Sequence, residues 1–176
     1  MTATPPRDGA ALCLSCGICC RGVIFQIVRL RDDEVALARR LRLPVVESRG
    51  RAAFTQPCPR HEDGACAVYE ERPDACRSFV CHTLAAYLAG EIDIAAATAR
   101  VDRLRATAAR VRDGLPAELR DSELWEAVAA LADEGERSPD RSAWRRQHAG
   151  LLLDVIELEA LCRRDFTTRP KSYDEV

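Results

Sequence analysis

The chain has 176 residues, a net charge of −2, 47% hydrophobic residues and 5% aromatic residues. This length suits one domain, or a small domain with an extension, and the balanced charge argues against a surface that binds nucleic acid through bulk charge. No segment stays apolar for the roughly 18 residues of a membrane span, and residues 1–12 lack a signal-peptide pattern. We therefore expect a soluble, cytoplasmic protein that binds neither nucleic acid nor membrane.

The cysteines divide the chain. Of nine, eight lie between Cys13 and Cys81, and only Cys162 lies beyond them. Because a reducing compartment keeps thiols unpaired, this number indicates metal or redox chemistry rather than disulfides. We expect a metal-binding cysteine-rich module over residues 10–83 and a helical region of three helices over residues 84–165, either as two units or as one compact domain. The predicted fold class is mainly α, with an irregular, metal-organised module, little or no β-sheet and C-terminal helices.

Turn residues and hydrophobic periodicity predict the elements of both regions. In the module they are a strand over residues 22–28, a helix over 32–43 that Pro44 ends, a hairpin or extended loop over 45–56, a turn at 62–64 and a helix over 73–88. In the second region they are helices over residues 92–113, 117–134 and 138–162. We expect a loose polar tail over residues 167–176.

The last predicted helix has its own start signal and apolar seam. Ser138 is expected as its N-cap, with Pro139 at the first helical position. Its seam includes Trp144, His148 and Cys162, which we interpret as packing residues rather than as ligands.

The eight clustered cysteines are the candidate metal ligands. They are Cys13, Cys16, Cys19, Cys20, Cys58, Cys66, Cys76 and Cys81. The tandem x2 spacing of the first three brings thiolates together within one turn, and three such cysteines with a Cys-Pro pair are typical of a 4Fe-4S cluster. Cys58-Pro59 supplies such a pair at a distance. Zinc remains open, since eight thiolates could also form two tetrahedral sites.

Three further features refine this hypothesis. Because the side chains of Cys19 and Cys20 diverge in extended backbone, the two either serve different sites or bridge two metals. Arg21 and Arg77 adjoin cysteines and are candidate donors to sulfur. His61 or His82 could replace a thiolate, although we favour solvated loop histidines for both.

Two segments resemble the YkgJ family of cysteine-cluster proteins. Residues 13–21 read CLSCGICCR and residues 66–79 read CAVYEERPDACRSF, which match CxxCxxCC and a later Tyr-Glu-x-Arg-Pro-x-x-Cys-Arg-x-Phe segment. The resemblance implies a zinc- or iron-chelating domain over about residues 13–81. A related domain in flagellin lysine N-methylases implies an iron–sulfur cluster, but this chain shows no glycine-rich loop for S-adenosylmethionine.

Three hypotheses for function follow. The first is a protein that holds a 4Fe-4S iron–sulfur cluster and acts in redox chemistry or in a protein-modifying system. The second is a module with one or two structural zinc ions, whose helices offer a surface to an unknown protein partner. The third is a metalloenzyme whose metal keeps an open position. The catalytic residues of such an enzyme are not identified by the sequence.

Overall fold

The computed structural model describes residues 8–167. The elements, in chain order, are α1 (Ala10–Cys16), β1 (Ile27–Arg29), α2 (Val35–Arg40), β2 (Val45–Ser48), β3 (Arg51–Thr55), β4 (His61–Glu62), β5 (Ala65–Cys66), α3 (Asp74–Ser78), α4 (His82–Leu88), α5 (Ile94–Gly114), α6 (Leu124–Arg137), α7 (Arg141–Gln147) and α8 (Ala149–Leu161). The protein is thus mainly α with only small antiparallel sheets, which confirms the predicted fold class.

Two hairpins build the sheets. Strands β1, β3 and β2 form one antiparallel sheet in that order, and β4 pairs with β5. Arg49 and Gly50 join β2 to β3 with φ angles of 52° and 72°, and Asp63 and Gly64 join β4 to β5 with φ angles of 48° and 81°. Positive φ at both central residues matches the twist of an antiparallel pair. The hairpin over residues 45–56 and the turn at 62–64 are confirmed.

The strand predicted over residues 22–28 is mostly wrong. Only Ile27–Arg29 pair as β1, while Val23 and Ile24 are buried in the helical core. The chain turns before them, because Gly22 has a φ of 76° and donates its N–H to the Cys19 carbonyl at 3.2 Å. Val23 and Ile24, which the sequence predicts as part of a strand, therefore lie in a turn and pack into the helical core.

The helix predicted over residues 73–88 is also wrong, because it is broken into α3 and α4. Phe79 takes an extended conformation, and its ring meets the ring of Phe25 edge-on at 4.6 Å between centroids. Cys81 is extended too and is the N-cap of α4, where its sulfur accepts the Leu84 N–H at 3.4 Å. The break thus aims Cys81 inward from a helix start.

The three later helices are partly confirmed. The helix over residues 92–113 is α5, and the one over 117–134 begins only at α6, where Glu123 caps the N–H groups of Trp125 and Glu126. The helix over 138–162 is divided into α7 and α8 at His148. Ser138 is not its N-cap, because Asp140 accepts the Ala143 N–H at 2.8 Å.

Two apolar cores hold the elements together. The main core combines α5, α6 and α8 with the N-terminal segment through residues such as Leu12, Ile18 and Leu158. The small core lies under the three-stranded sheet and consists of Leu30, Ala38, Leu41, Leu43 and Phe54. Residues from both sides of residue 83 contribute to the main core. The boundary between two units that the sequence predicts there therefore stays a prediction.

Cys162 is confirmed as a packing residue. It is fully buried in the main core, and its sulfur lies 3.8 Å from the Val23 carbonyl oxygen. Of the tail expected to be loose, Thr167 is buried, and residues 168–176 lie outside the described residues. Among the helices of residues 8–167, none combines the length and apolarity needed to cross a membrane.

Candidate metal centre

All nine cysteines lie in the described part of the chain, and all are free thiols. Five of the eight clustered cysteines pack against one of the two cores. Cys16, Cys19 and Cys81 pack against the main core, whereas Cys58 and Cys76 pack against the small core. The thiols are therefore supported by two different sets of apolar residues.

The tandem cysteines lie on a helix and the turn that follows it. Cys13 and Cys16 are three residues apart on α1 and share a face of that helix. Gly17 ends α1 with a φ of 61°, a left-handed conformation that glycine adopts without steric cost. The Arg21 N–H then returns to the Gly17 carbonyl at 3.0 Å, which closes the turn carrying Cys19 and Cys20.

Helix α4 brings Cys81 to the tandem cysteines. Gly9, directly before α1, lies so close to Leu84 that a Cβ at Gly9 would be 2.5 Å from the Leu84 Cδ1. Leu84 is three residues after Cys81 and packs in the same core as Leu12. The starts of α1 and α4 therefore lie side by side, with Cys13 and Cys81 on neighbouring elements.

Cys20 belongs with the cysteines of the hairpin and α3. The Cys58 N–H donates to the Cys20 carbonyl at 2.7 Å, and the His61 N–H donates to the Cys58 carbonyl at 3.1 Å. His61 pairs with Cys66 across the β4–β5 hairpin. These contacts link three of the cysteines through adjacent backbone.

Buried Glu34 positions the fourth cysteine of that set. Its carboxylate accepts the Asp74 N–H at 2.5 Å and the Arg31 N–H at 3.0 Å, while the side chains of Arg31 and Asp74 form an ion pair at 3.1 Å. Asp74 is the first residue of α3, which carries Cys76. A carboxylate on the 3-10 turn before α2 thus fixes the helix that presents Cys76.

The causes of the raised pKa values indicate which thiols lie near each other. Burial, then repulsion from the Cys81 and Cys16 thiolates, raises the pKa of Cys13 to about 11, although the residue as a whole is exposed. Burial raises the pKa of Cys19 well above its usual value, and Cys16 and Cys81 add the largest repulsions to that rise. Because the repulsion between two charges weakens as the distance between them grows, these contributions indicate that Cys13, Cys16, Cys19 and Cys81 are neighbours.

The same reasoning defines the second group. Burial raises the pKa of Cys20 to about 12, with Cys58, Cys66 and Cys76 as the next contributors. Burial also raises the pKa of Cys76 to about 12, followed by repulsion from Cys58 and Cys66. Cys20, Cys58, Cys66 and Cys76 are therefore neighbours. By their largest mutual repulsions the eight thiols thus divide into two groups of four. The groups adjoin at Cys19 and Cys20, because Cys20 also adds to the rise in the pKa of Cys19, and Cys16 to the rise in the pKa of Cys20.

Arginine side chains surround both groups. Burial raises the pKa of Cys16, and the guanidinium groups of Arg105 and Arg21 oppose that rise. Arg72 opposes the rise that burial causes in the pKa of both Cys13 and Cys76, so it lies between the two groups. The Arg72 guanidinium also covers the ring of Tyr69 at 3.5 Å from the centroid. These cations can offset the negative charge of several thiolates.

Arg105 is the residue that the sequence reasoning missed. It lies on α5, which carries five arginines over residues 100–112. Its guanidinium donates to the carbonyls of Ser15 and Cys16, the last residues of α1. A signal for this contact was absent from the sequence, because α5 joins α1 only in the tertiary structure.

Arg77 contacts backbone carbonyls. Its guanidinium donates to the carbonyls of Arg72, at 2.9 Å, and of Glu70. It thereby holds the turn before α3, and its proposed contact with a sulfur stays a prediction.

The two histidines near the cysteines have different surroundings. The ring of His61 covers Gly17, where a Cβ would lie 2.3 Å from Nε2, and that nitrogen is buried with no partner among the described residues. The interpretation of His61 as a solvated loop residue is therefore wrong. His82 places Nδ1 3.3 Å from the Arg164 carbonyl oxygen.

The donor set fits a thiophilic metal, although the sulfurs have to converge further. In residues 8–167, no three His, Cys, Asp or Glu side chains are close enough together to hold one metal ion. Thiols with raised pKa values keep their protons at neutral pH, and binding a metal replaces those protons and draws the ligands together. The grouping into fours, the burial and the nearby arginines all suit four-thiolate coordination.

The fold and its thiols define a metal-binding protein of the cysteine-cluster class. Residues 12–99, half of the chain, match the model of the family CxxCxxCC, described as a "putative zinc- or iron-chelating domain". The chain belongs to this family, as the two cysteine segments predicted. The match includes α4, whose start carries Cys81. No curated protein and no solved structure matches the chain.

Proposed function

We propose that this metal-binding protein holds an iron–sulfur cluster of the 4Fe-4S type through Cys13, Cys16, Cys19 and Cys81. The grouping of three closely spaced cysteines with one distant cysteine carries the proposal, because such clusters take four thiolates, often from a tandem x2 run. The fourth ligand is Cys81 rather than the Cys58 of the Cys-Pro pair, since Cys58 faces the other group.

The surroundings of this group favour a role in redox chemistry or in a protein-modifying system. Cys13 is exposed, so a cluster bound there would lie near the surface, within reach of an electron donor or acceptor. Arg105 and Arg72 provide positive charge beside it. We also propose the cytoplasm as its compartment, because free thiols of this number persist in a reducing environment.

Anaerobic purification tests the proposal. We expect brown protein with a broad visible absorbance and about four iron atoms and four sulfides per chain. Cys19→Ala should lose the colour and the iron, whereas the matched variant Cys162→Ala, which alters a buried thiol outside both groups, should keep them. Colourless wild-type protein with stoichiometric zinc would contradict the proposal.

A zinc-organised interaction module is the second candidate. The observation that favours it is the outer face of α8, where Leu153 and Ile156 are 67% and 62% exposed. Large apolar side chains at such exposure are compatible with a surface for another protein. Zinc in the purified protein, with loss of association to a co-purified protein in Leu153→Glu, would support this candidate. Iron in the wild type would contradict it.

A further inference from the structure

We propose that a cavity beside the turn after α1 binds a small organic anion, a compact molecule with an apolar body and one carboxylate or phosphate group. The cavity has a volume of about 310 Å³ and lies between α5, residues 18–23 and the start of α6. This volume is at the small end of the range for ligand pockets, so it suits a compact molecule. The proposal does not depend on which metal the protein binds.

One face of α5 forms the first wall of the cavity. Its lining residues are spaced by three and four positions, so their side chains lie on the same side of the helix. They are Arg105, Ala108, Ala109, Arg112 and Asp113. Because alanine has no side-chain atom beyond Cβ, Ala108 and Ala109 leave space between the two longer arginines.

The opposite wall is apolar. Ile18 and Val23 from the turn and Leu124 from the start of α6 line it, and all three are buried. An apolar wall of this kind binds the apolar part of a ligand by removing its surface from water. It therefore favours an organic anion over an inorganic one.

The charge of the cavity favours an anion. Arg21, Arg105 and Arg112 line it, together with the carboxylate of Asp113. Asp102 lies 3.7 Å from the Arg105 guanidinium, but its side chain is 64% exposed, so water screens its charge. Positive charge thus exceeds negative charge even when both carboxylates are counted.

Two of the guanidinium groups are already held in place. The Arg112 Nη1 donates to the carbonyls of Arg120 and Ser122, each at 2.6 Å, and the Arg105 Nε donates to the Cys16 carbonyl at 3.1 Å. A guanidinium has five N–H donors, so the Nε and Nη2 of Arg112 can still bind an anionic group. Side chains fixed before binding lose little conformational entropy when the ligand arrives.

Calorimetric titration of the full chain, purified without oxygen, tests the proposal with four probes. Hexanoate and hexyl phosphate combine an apolar body with an anion, whereas hexanol lacks the charge and inorganic phosphate lacks the apolar body. We expect at least one of the two organic anions to bind about tenfold more tightly than hexanol and inorganic phosphate, because it alone uses both the arginines and the apolar wall. No such preference would overturn the proposal.

Two variants with matched controls test the cavity itself. Arg21→Ala removes one cation of the lining and should weaken the organic anion about tenfold, whereas Arg145→Ala removes an exposed arginine of α7 and should have little effect. Ala109→Leu fills the cavity from an exposed helix position and should also weaken binding, whereas Ala106→Leu, elsewhere on α5, should not. Circular dichroism verifies that the variants fold. Affinities of Arg21→Ala and Ala109→Leu equal to that of the wild type would overturn the proposal.

The two tryptophans of the chain locate the bound anion. The Trp125 indole N–H donates to the carbonyl of Val23, a lining residue, at 3.0 Å, whereas the Trp144 indole N–H donates to Glu134 at 3.1 Å. In nuclear magnetic resonance spectra of isotope-labelled protein, the organic anion should shift the indole signal of Trp125 and leave that of Trp144, which Trp144→Phe assigns. A shift of the Trp144 signal alone, or of neither signal, would contradict binding in this cavity.

Discussion

At the scale of single residues, Gly17 shows how one position joins the two groups of thiols. Its φ of 61° ends α1 and turns the chain toward Cys19 and Cys20. Its missing side chain also leaves room for the ring of His61, which is part of the hairpin that carries Cys66. Backbone conformation and close approach therefore require glycine at the same site.

Gly17→Ala should be more destabilising than the same change at a comparable turn. Gly50→Ala is the matched control, because Gly50 also has a positive φ of 72°, but a Cβ added there would have no atom within 4 Å. We expect Gly50→Ala to lower the free energy of unfolding by about 1 kcal/mol. Gly17→Ala should cost clearly more, since its Cβ would lie 2.3 Å from the His61 Nε2.

Chemical unfolding monitored by circular dichroism measures both changes. His61→Ala in the Gly17→Ala background removes the obstructing ring and should recover part of the loss. Equal effects of Gly17→Ala and Gly50→Ala would mean that the His61 ring moves aside freely. The close approach of His61 to position 17 would then not affect the free energy of unfolding.

At the scale of elements, short helices depend on long-range polar contacts to hold their cysteines. Helix α3 has five residues and is too short to be stable by itself. The carboxylate of Glu34 accepts its first N–H and also the Arg31 N–H. Helix α1 depends in a similar way on Arg105, which donates to the carbonyls at its end.

Removal of the Glu34 carboxylate should destabilise the protein. Glu34 is 5% exposed, so Glu34→Ala leaves two backbone N–H groups without their acceptor. We expect a loss of about 2–3 kcal/mol in the free energy of unfolding, and a smaller loss for Glu34→Gln, which keeps one oxygen acceptor. Urea unfolding of the metal-loaded protein measures both.

Glu71→Ala is the control for this prediction. Glu71 forms an ion pair with Arg40 at 3.3 Å, but both side chains are more than half exposed. Such surface pairs contribute about 0–1 kcal/mol. A change at Glu34 no larger than the change at Glu71 would show that α3 is held by other contacts.

At the scale of the whole molecule, buried thiols make the metal-free protein sensitive to pH. Burial, with a smaller repulsion from Glu159, raises the pKa of Cys162 from 9.0 to about 12, and Cys20 and Cys76 have raised pKa values as well. A pKa that is higher in the folded state adds stability below the unfolded pKa. That stability is lost as the pH rises through the folded pKa.

The free energy of unfolding of the metal-free, reduced protein should therefore fall as the pH rises from about 9 toward about 12. For Cys162, which is fully buried, we expect a loss of about 1 kcal/mol between about pH 8 and about pH 10. Cys162→Ala should lose correspondingly less over that range in urea unfolding. A larger fall in the variant than in the wild type would contradict this prediction.

Metal removal should affect the two cores unequally. The small core has five buried residues and depends on Cys58 and Cys76 beside it, whereas the main core is formed largely by α5, α6 and α8. After chelation we expect amide hydrogen exchange to accelerate over β1–β3 and α3 while α5 and α8 remain protected. Equal exchange in both regions, with and without metal, would exclude an organising role for the metal.

Local signals in the sequence were sufficient to predict part of this fold. Gly64 marked a tight turn, and the apolar periodicity of residues 92–113 identified α5, because both signals act over a few residues. The break at Phe79 was missed because it depends on Phe25, far away in the chain. Ser138-Pro139 predicted a helix start, but Asp140 was the better positioned cap.

The sequence by itself determined that this protein binds metal, since the tandem spacing of Cys13, Cys16 and Cys19 is a local property of a helix and its turn. Only the tertiary structure decided which cysteines are neighbours. Cys81 joins the tandem run because α4 packs beside α1, and Cys58 joins Cys20 through a backbone hydrogen bond. Contacts between distant segments depend on packing, and spacing along the chain does not encode them.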